Sequence, residues 1–215
     1  MKLYGATLSP YVRKAAAFMN EKMLNWEHVV VGLGAKDEDF LGASPLGKIP
    51  AFRDGDYSLA DSTAICVYLD AAYPKTRLIP DDAKARGTVF FWDEFADTVM
   101  GAATGKLFFN RVVAPKLLKQ DGDEKVAEEG LKDAKPLLDL LEKHAPESGN
   151  FLVGDTITLA DIAVASPFAN LEHAGAAVSD EHPRTKAYIN AIHQRESFQG
   201  MIEAERKLLG GSFGG

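Results

Sequence analysis

The spacing of apolar and polar residues divides the chain into two parts. In the first 75 residues, short apolar runs at residues 2–6 and 26–31 flank residues 11–23, where apolar positions recur three and four apart. This pattern predicts a strand, a helix and a second strand. That order implies a right-handed crossover, with the two strands parallel.

The first part continues with a hairpin and a second helix. Residues 37–41 lie in a loop rich in Gly, Ser and Asp and can form one helical turn. Apolar runs at residues 49–53 and 57–59 flank Asp54-Gly55-Asp56, which is a strong hairpin signal. Residues 62–73 have the periodicity of a helix and are followed by a proline, which cannot continue it.

The second part is almost entirely helical in its pattern. A polar stretch at residues 76–85 is predicted to link a domain of residues 1–75 to a helical domain of residues 86–209, and residues 210–215 are predicted to form a flexible tail. Helical periodicity is found at residues 85–106, 124–144, 159–172, 184–194 and 199–209. The predicted fold is therefore an α/β domain followed by an all-α domain.

Composition and charge reduce the number of possible functions. The chain of 215 residues is 46% apolar and carries a formal net charge of −7, and an acidic surface repels the phosphates of nucleic acids. No run of about 18 apolar residues is present to span a membrane. Charged residues interrupt the apolar start of the chain, so it does not read as a secretory signal. We expect neither a nucleic-acid partner nor a membrane segment.

Cysteine and histidine usage limits the chemistry further. Cys66 is the single cysteine, which excludes an intrachain disulfide and a cysteine-based metal site. The lack of disulfides is typical of a reducing compartment and predicts a cytoplasmic protein. The five histidines show no paired-ligand spacing, so no metal is expected.

Ser9 and Pro10 stand where the first strand passes into the first helix. Serine at the N-cap followed by proline is favoured for structural reasons alone. A capping box would need Glu or Gln at position 12, where Val12 stands, so the hydroxyl is also available for chemistry. Arg13 and Lys14, one turn later, add positive potential and are expected to be solvated surface charges.

Two further motifs can bind a ligand or be purely structural. An Ile49-Pro50 bond in the cis form would leave the Ile49 backbone free to pair with an extended peptide, whereas the alternative is an ordinary turn into an edge strand. Ser62 can cap the helix that follows it. Alternatively, the helix start, Ser62 and the Asp61 carboxylate can hold the paired charges of an α-amino acid.

The run at residues 154–161 is interpreted as a folding signal. Thr158 and Asp161 have the spacing of a capping box, and Ile157 and Ile162 have that of a hydrophobic staple. Both features fix the start of a helix that is expected to lie in the core.

Taken together, these motifs resemble the cytosolic glutathione transferases, and the opening is most similar to the serine-type phi and theta classes. The resemblance rests on residues 1–6 with Ser9, 44–50, 59–62 and 154–161, and it covers roughly residues 1–208. It implies a thioredoxin-like N-terminal domain, an all-helical C-terminal domain and a homodimer.

The resemblance also implies roles for individual residues. Ser9 would be the catalytic hydroxyl, which stabilises the thiolate of the co-substrate glutathione. The implied glutathione-binding residues are Lys48 and the Ile49 backbone for the cysteinyl-glycine part, Pro50 as the cis-proline, Asp61 and Ser62 for the γ-glutamyl end, and Lys36 for the glycine carboxylate. A pocket between the domains would take a small apolar electrophile, with Tyr11, Phe91, Met100 and Phe108 as candidate lining residues. Aromatic residues at helical spacing also commonly belong to a core.

Three functions other than glutathione conjugation are alternatives for this sequence. A thiol–disulfide reductase would need a cysteine where Ser9 stands. A non-catalytic module with the same fold need not keep the glutathione-contacting residues, and Ser9, Lys48, Asp61 and Ser62 are all present. A glutathione-dependent peroxidase or isomerase would use the same thiolate, and the sequence does not separate these activities from conjugation.

Overall fold

The computed structural model describes residues 1–32, 34–147 and 150–210. The first part forms a four-stranded sheet in the order β2-β1-β3-β4. Its strands are β1 (Lys2–Tyr4), β2 (Glu27–Val29), β3 (Ala51–Asp54) and β4 (Tyr57–Ala60). β1 is parallel to β2 and antiparallel to β3, and β3 forms a hairpin with β4. This topology confirms the predicted pairings and the thioredoxin-like α/β fold.

Three helices accompany the sheet: α1 (Pro10–Glu21), α2 (Glu38–Ala43) and α3 (Ser62–Ala72). α1 begins at a proline, whose fixed φ suits the first helical position. α2 is capped by Asp37, whose Oδ1 accepts a hydrogen bond from the N–H of Phe40 at 3.0 Å. The helical turn expected near residues 37–41 is therefore a helix of 6 residues.

The second part is all-helical, as predicted. Residues 83–118 form one continuous helical stretch made of α4 (Ala83–Glu94), a first π segment (Phe95–Met100), α5 (Gly101–Phe108) and a second π segment (Phe109–Leu118). The remaining helices are α6 (Glu124–His144), α7 (Leu159–His173), α8 (Pro183–His193) and α9 (Glu196–Leu208). Among the described helices, none combines the length and apolarity needed to cross a membrane.

The first helix of this part differs from the prediction. The helical stretch continues to residue 118 instead of ending at 106, and it contains two π segments. A π turn inserts a residue without removing the apolar stripe, so a search for a period of 3.6 does not reveal it. α4 begins at Ala83, inside the predicted linker. Residues 211–215 of the predicted tail lie outside the described residues.

α7 forms the centre of the core, and every residue in it except Glu172 is buried. Its start is fixed by the predicted capping box: Asp161 Oδ2 accepts hydrogen bonds from the Thr158 N–H at 2.8 Å and the Thr158 hydroxyl at 3.0 Å. Asp161 Oδ1 accepts from the Leu152 N–H and the Tyr188 hydroxyl, each at 2.8 Å. All four donors face a buried carboxylate, which satisfies it and joins α7 to α8.

α1 lies between the two parts of the molecule and packs against α3, α7 and α9. Arg13 and Lys14 are both 0% exposed, so the prediction that they are solvated surface charges is wrong. Arg13 is paired with Glu205 of α9, with its Nη2 2.7 Å from Oε2. Lys14 is paired with Asp93 at 2.8 Å and Asp97 at 2.5 Å. Both residues connect the sheet part to the helical part, and buried charges persist only when they are paired in this way.

Candidate active site

The register of the sheet brings three sequence motifs to one end of it. Tyr4, the last residue of β1, is opposite Ala51, and Ala51 is in turn opposite Ala60. The chain that leaves β1 towards Ser9, the chain that enters β3 through Pro50, and the chain that leaves β4 into Asp61 therefore meet at the same edge. Val29 of β2, which is opposite Tyr4, ends there too.

Ser9 is the N-cap residue of α1, but its side chain does not cap the helix. Its φ of −74° and ψ of 126° place it outside the helix, and its hydroxyl makes no capping hydrogen bond. Within the described ranges, no hydrogen-bond partner is found for this hydroxyl, which is half-buried. The purely structural interpretation of Ser9 therefore loses its main support. The hydroxyl lies at the positive end of α1 and is open to an anionic ligand.

Asp61, and not Ser62, is the N-cap of α3. Asp61 Oδ1 accepts a hydrogen bond from the Ala64 N–H at 2.9 Å, so the structural alternative, in which Ser62 caps this helix, is wrong. The backbone of Asp61 has a φ of 82°, a conformation that is unfavourable for residues other than glycine and that is concentrated at functional sites. The Asp61 side chain is exposed, whereas Ser62 is buried. The strained turn thus presents a carboxylate beside a helix start.

The loop that precedes β3 is closed by Ser44. Its hydroxyl donates to the Lys48 carbonyl at 2.6 Å and accepts from the Lys48 N–H at 3.0 Å. The Ile49-Pro50 peptide is cis, in agreement with the form considered from the sequence. The Lys48 side chain is exposed, Ile49 is half-buried and Pro50 is buried. A cationic side chain and the entry to β3 therefore lie together at the edge that Ser9 and Asp61 reach.

Lys36 is exposed in the connection between β2 and α2. The helix that follows it is held to the sheet by Asp39, which accepts a hydrogen bond from the Tyr4 hydroxyl at 2.6 Å and is paired with Arg53. Burial of Tyr4 and the Asp39 carboxylate raise the pKa of the Tyr4 phenol to about 12. Lys36 therefore lies just before a helix that is held to the sheet, while its own side chain is exposed to solvent.

A buried polar cluster lies beneath the site, between α1, α3, the end of α4 and the first π segment. Lys14 Nζ donates to Asp93 Oδ1 at 2.8 Å, to Asp97 Oδ2 at 2.5 Å and to the Thr63 hydroxyl at 2.9 Å. The Ser62 hydroxyl is 3.4 Å from Asp97 Oδ2. Burial raises the pKa of Asp97 above its ordinary value, even though Lys14 opposes the shift. The helical part therefore reaches the site through Asp97.

Comparison with known proteins identifies the family. The family models described as "Glutathione S-transferase, N-terminal domain" and "Glutathione S-transferase, C-terminal domain" match residues 3–77 and 104–196. The glutathione S-transferase 3 of Zea mays is 36% identical over 213 residues, which are 95% of this chain and 94% of that protein. A glutathione S-transferase of Hyoscyamus muticus is 33% identical over 94% of this chain and 98% of its own.

The chain belongs to the glutathione S-transferase family.

The fold agrees with this identification. A solved structure of glutathione S-transferase I, bound with the ligand lactoylglutathione, is similar with a TM-score of 0.83 and 29% identity, over 94% of this chain and 98% of that chain. These comparisons confirm the resemblance predicted from the sequence motifs. The protein is a glutathione transferase, with glutathione as its co-substrate.

The four residues predicted to line the second-substrate pocket of the transferase lie in different environments. Tyr11 is half-buried near Ser9, and its hydroxyl donates to the Asp97 carbonyl at 3.0 Å. Phe91 is 55% exposed on α4, whereas Met100 and Phe108 are 0% and 7% exposed and belong to the core. Met100 and Phe108 therefore present almost no surface to a ligand in this structure. The role of all four in electrophile binding stays a prediction.

Sequence reasoning missed three residues of the buried cluster, namely Thr63, Asp93 and Asp97. The available signal was the pair of aspartates four residues apart in a segment otherwise rich in aromatic residues. Two acidic side chains on the apolar face of a helix imply a buried cationic partner. The spacing alone does not identify Lys14 as that partner.

Proposed function

We propose that this transferase uses the Ser9 hydroxyl to stabilise the glutathione thiolate, which then adds to small apolar electrophiles. The observation that carries the proposal is the Ser9 hydroxyl, which stands at the start of α1 without making a capping bond. A thiol is a poor nucleophile and a thiolate is a good one. The chemical task of the site is therefore to favour ionisation of the bound thiol at neutral pH.

The magnitudes available at Ser9 are sufficient for this task. A free thiol has a pKa of about 8.5, so only a few per cent is ionised at pH 7. A charge-assisted hydrogen bond contributes about 1.5–3 kcal/mol, and the helix start adds about 0.3–1 kcal/mol. At about 1.4 kcal/mol per pH unit, these contributions lower the thiol pKa by about one to three pH units. The thiolate then becomes a major species.

The rest of glutathione is assigned to the remaining groups at the sheet edge. We assign the ammonium group of the γ-glutamyl residue to the exposed Asp61 carboxylate. The α-carboxylate of the same γ-glutamyl residue is assigned to Ser62 and the start of α3. The Ile49 backbone would pair with the cysteinyl residue, next to Pro50. The exposed ammonium groups of Lys48 and Lys36 would bind the carboxylate at the glycine end of glutathione.

The electrophile would lie beside Ser9, against the first π segment. Tyr11 supports this location because it follows Ser9 by two residues in α1 and its hydroxyl donates to the Asp97 carbonyl of the first π segment. Gly101 allows the close contact, since a Cβ at this position would be 3.0 Å from the Tyr11 hydroxyl oxygen. Phe91, Met100 and Phe108 complete the proposed set, and the last two would require movement of the helical part to become accessible.

We further propose that the transferase is a cytoplasmic homodimer. Leu46 is 79% exposed and Leu41 is 39% exposed, and both lie near Gly47: a Cβ added at Gly47 would be 3.8 Å from Leu41 Cδ2. Contiguous exposed apolar surface marks sites of protein interaction, and we assign the dimer contact to the surface around these two leucines. The single cysteine is buried, and burial raises the pKa of the Cys66 thiol, which suits a protein without disulfide chemistry of its own. Sedimentation equilibrium of the wild type and of Leu46→Lys tests the dimer, which the charged variant should weaken.

Calorimetric titration with glutathione and steady-state assays with 1-chloro-2,4-dinitrobenzene test the function. We expect binding below millimolar glutathione, and we expect Ser9→Ala to lower kcat about 10- to 100-fold, which is a far larger change than in the glutathione Kd. Ser58→Ala, on β4 towards the hairpin turn, is the matched control and should change neither. No binding at millimolar glutathione would favour the non-catalytic module. Equal losses in turnover and affinity would point to a structural role for Ser9.

A further inference from the structure

The peptide that joins Leu8 to Ser9 is held at both of its polar atoms. The Ser9 N–H donates to the Ala6 carbonyl at 3.0 Å. The Leu8 carbonyl accepts a hydrogen bond from Asn170 Nδ2, also at 3.0 Å. Because a peptide unit is planar, fixing its oxygen and its N–H fixes the plane. Together with the Ser9 φ of −74°, the orientation of that plane sets the direction of the Ser9 Cα–Cβ bond.

Asn170 comes from the helical part of the molecule. It lies on α7 and is 2% exposed. Its Oδ1 accepts a hydrogen bond from Arg13 Nη1 at 2.7 Å. A guanidinium only donates and a carbonyl only accepts, so these two partners determine which end of the amide faces Leu8.

Arg13 is itself fixed by a buried set of acceptors. Its Nη1 also donates to the Ser166 carbonyl at 2.6 Å, and its Nε and Nη2 donate to the two carboxylate oxygens of Glu205 at 3.2 and 2.7 Å. Glu205 Oε2 is in turn 2.8 Å from His173 Nε2. The chain of contacts therefore runs without a gap from α9 through Arg13 and Asn170 to the residue before Ser9.

We infer that Asn170 is a positioning residue, through which the helical part orients the Ser9 hydroxyl towards the bound thiolate. This inference rests on the role of Ser9 proposed above. A hydroxyl without a protein partner has no contact of its own to select a direction. The position of this hydroxyl therefore depends on the backbone of Ser9. Among the residues that the structure describes, Asn170 is the one whose side chain bonds the Leu8 carbonyl.

The test is a double-mutant cycle read through the pH dependence of kcat/KM with 1-chloro-2,4-dinitrobenzene. We expect Asn170→Ala to lower kcat/KM at pH 6.5 about five- to tenfold and to move the rise of the profile to higher pH, as Ser9→Ala does. In the Ser9→Ala background, Asn170→Ala should change kcat/KM less than about twofold, because no hydroxyl is left to orient.

Two further variants separate positioning from folding. Ser166 lies one turn earlier on α7, and within the part of the chain that the structure describes its hydroxyl bonds only to the Ile162 carbonyl of the same helix. Ser166→Ala should therefore leave the pH profile unchanged. If Asn170→Ala does not fold, as judged by circular dichroism, Asn170→Asp replaces it. Aspartate keeps the oxygen that accepts from Arg13 and places a second acceptor against the Leu8 carbonyl, so the same shift is expected.

The outcomes distinguish this inference from the proposal beneath it. If Ser9→Ala shifts the profile and the effect of Asn170→Ala is equally large in both backgrounds, Asn170 has only a packing role and the inference is overturned. If Ser9→Ala does not shift the profile at all, the proposed role of Ser9 fails, and the positioning role fails with it.

Discussion

Polar groups on the two sides of α1 lie in opposite environments. At the sheet edge, the Ser9 hydroxyl makes no capping bond and the Asp61 carboxylate is exposed on a strained turn. On the side that faces the helical part, Arg13 and Lys14 are fully buried, and each is paired with a carboxylate. The difference separates groups that hold the fold from groups left available to a ligand. Substitutions on the two sides should therefore affect different measurements.

The largest effect on stability is expected on the paired side. Arg13→Leu leaves the Glu205 carboxylate buried without its guanidinium, and we expect the free energy of unfolding to fall by about 3–5 kcal/mol. Urea denaturation of the wild type and the variant gives this value. Lys106→Ala removes the exposed ion pair with Asp133 and is the control, since exposed pairs contribute little. A loss for Arg13→Leu no greater than that of the control would contradict the account.

The pH dependence of this loss sharpens the comparison. Burial by itself raises the pKa of Glu205, but Arg13 and His173 outweigh it, so the pKa lies below its ordinary value of 4.5. In the wild type, Glu205 therefore contributes stability above about pH 4.5, and this contribution is lost as the pH falls through the lowered pKa. Without Arg13, burial dominates and the variant gains from protonation of Glu205 as the pH falls.

The unfolding free energies of the wild type and of Arg13→Leu should therefore approach each other as the pH falls. The difference in unfolding free energy between the wild type and Arg13→Leu should be smaller at pH 4 than at pH 7 by about 1–2 kcal/mol. Urea denaturation repeated at the two pH values measures the change. A difference that stays constant, or that grows towards pH 4, would show that Glu205 is not the group left unpaired.

On the open side, Asp61→Asn should affect the ligand and not the fold. Asparagine retains an oxygen for the Ala64 N–H and tolerates a positive φ, so the unfolding midpoint should not change. Loss of the carboxylate should weaken glutathione binding about three- to tenfold, as calorimetry would show. Asp56→Asn, in the hairpin turn, provides the control. Unchanged affinity in Asp61→Asn would remove Asp61 from the site.

The smallest effect is expected for the stability of Ser9→Ala. Because the Ser9 hydroxyl makes no capping bond, its removal should change the free energy of unfolding by less than about 0.5 kcal/mol. Loss of a working serine cap would instead cost about 1 kcal/mol. Thermal or urea unfolding of the variant without glutathione separates the two values, and a loss of the larger size would assign Ser9 to the structural side of α1.

Local pattern was enough to predict much of the fold. The helical periodicity at residues 124–144 predicts the bounds of α6, and the Thr158-Asp161 spacing predicts the start of α7. The sequence also predicts the hairpin at Gly55 and the parallel pair β1 and β2, because turn chemistry and strand order act over short distances.

Burial between distant segments could not be predicted in the same way. Arg13 and Glu205 are 192 positions apart, and Lys14 and Asp97 are 83 positions apart. No periodicity within α1 distinguishes a charge that faces water from one that faces a second domain. Local motifs are enough to predict Ser9, Lys48 and Asp61 as candidate site residues, whereas Asn170 and Asp97 come close to Ser9 and Lys14 through tertiary contacts.

The central claim is that the Ser9 hydroxyl stabilises the sulfur anion, and the bound thiol itself reports on it most directly. Thiolate absorbance of the enzyme–glutathione complex, followed against pH in the wild type and in Ser9→Ala, gives the pKa of that thiol. We predict a wild-type value one or more pH units below the value of about 8.5 for a free thiol, and a return towards that value in Ser9→Ala. Equal values in the two proteins would contradict the account.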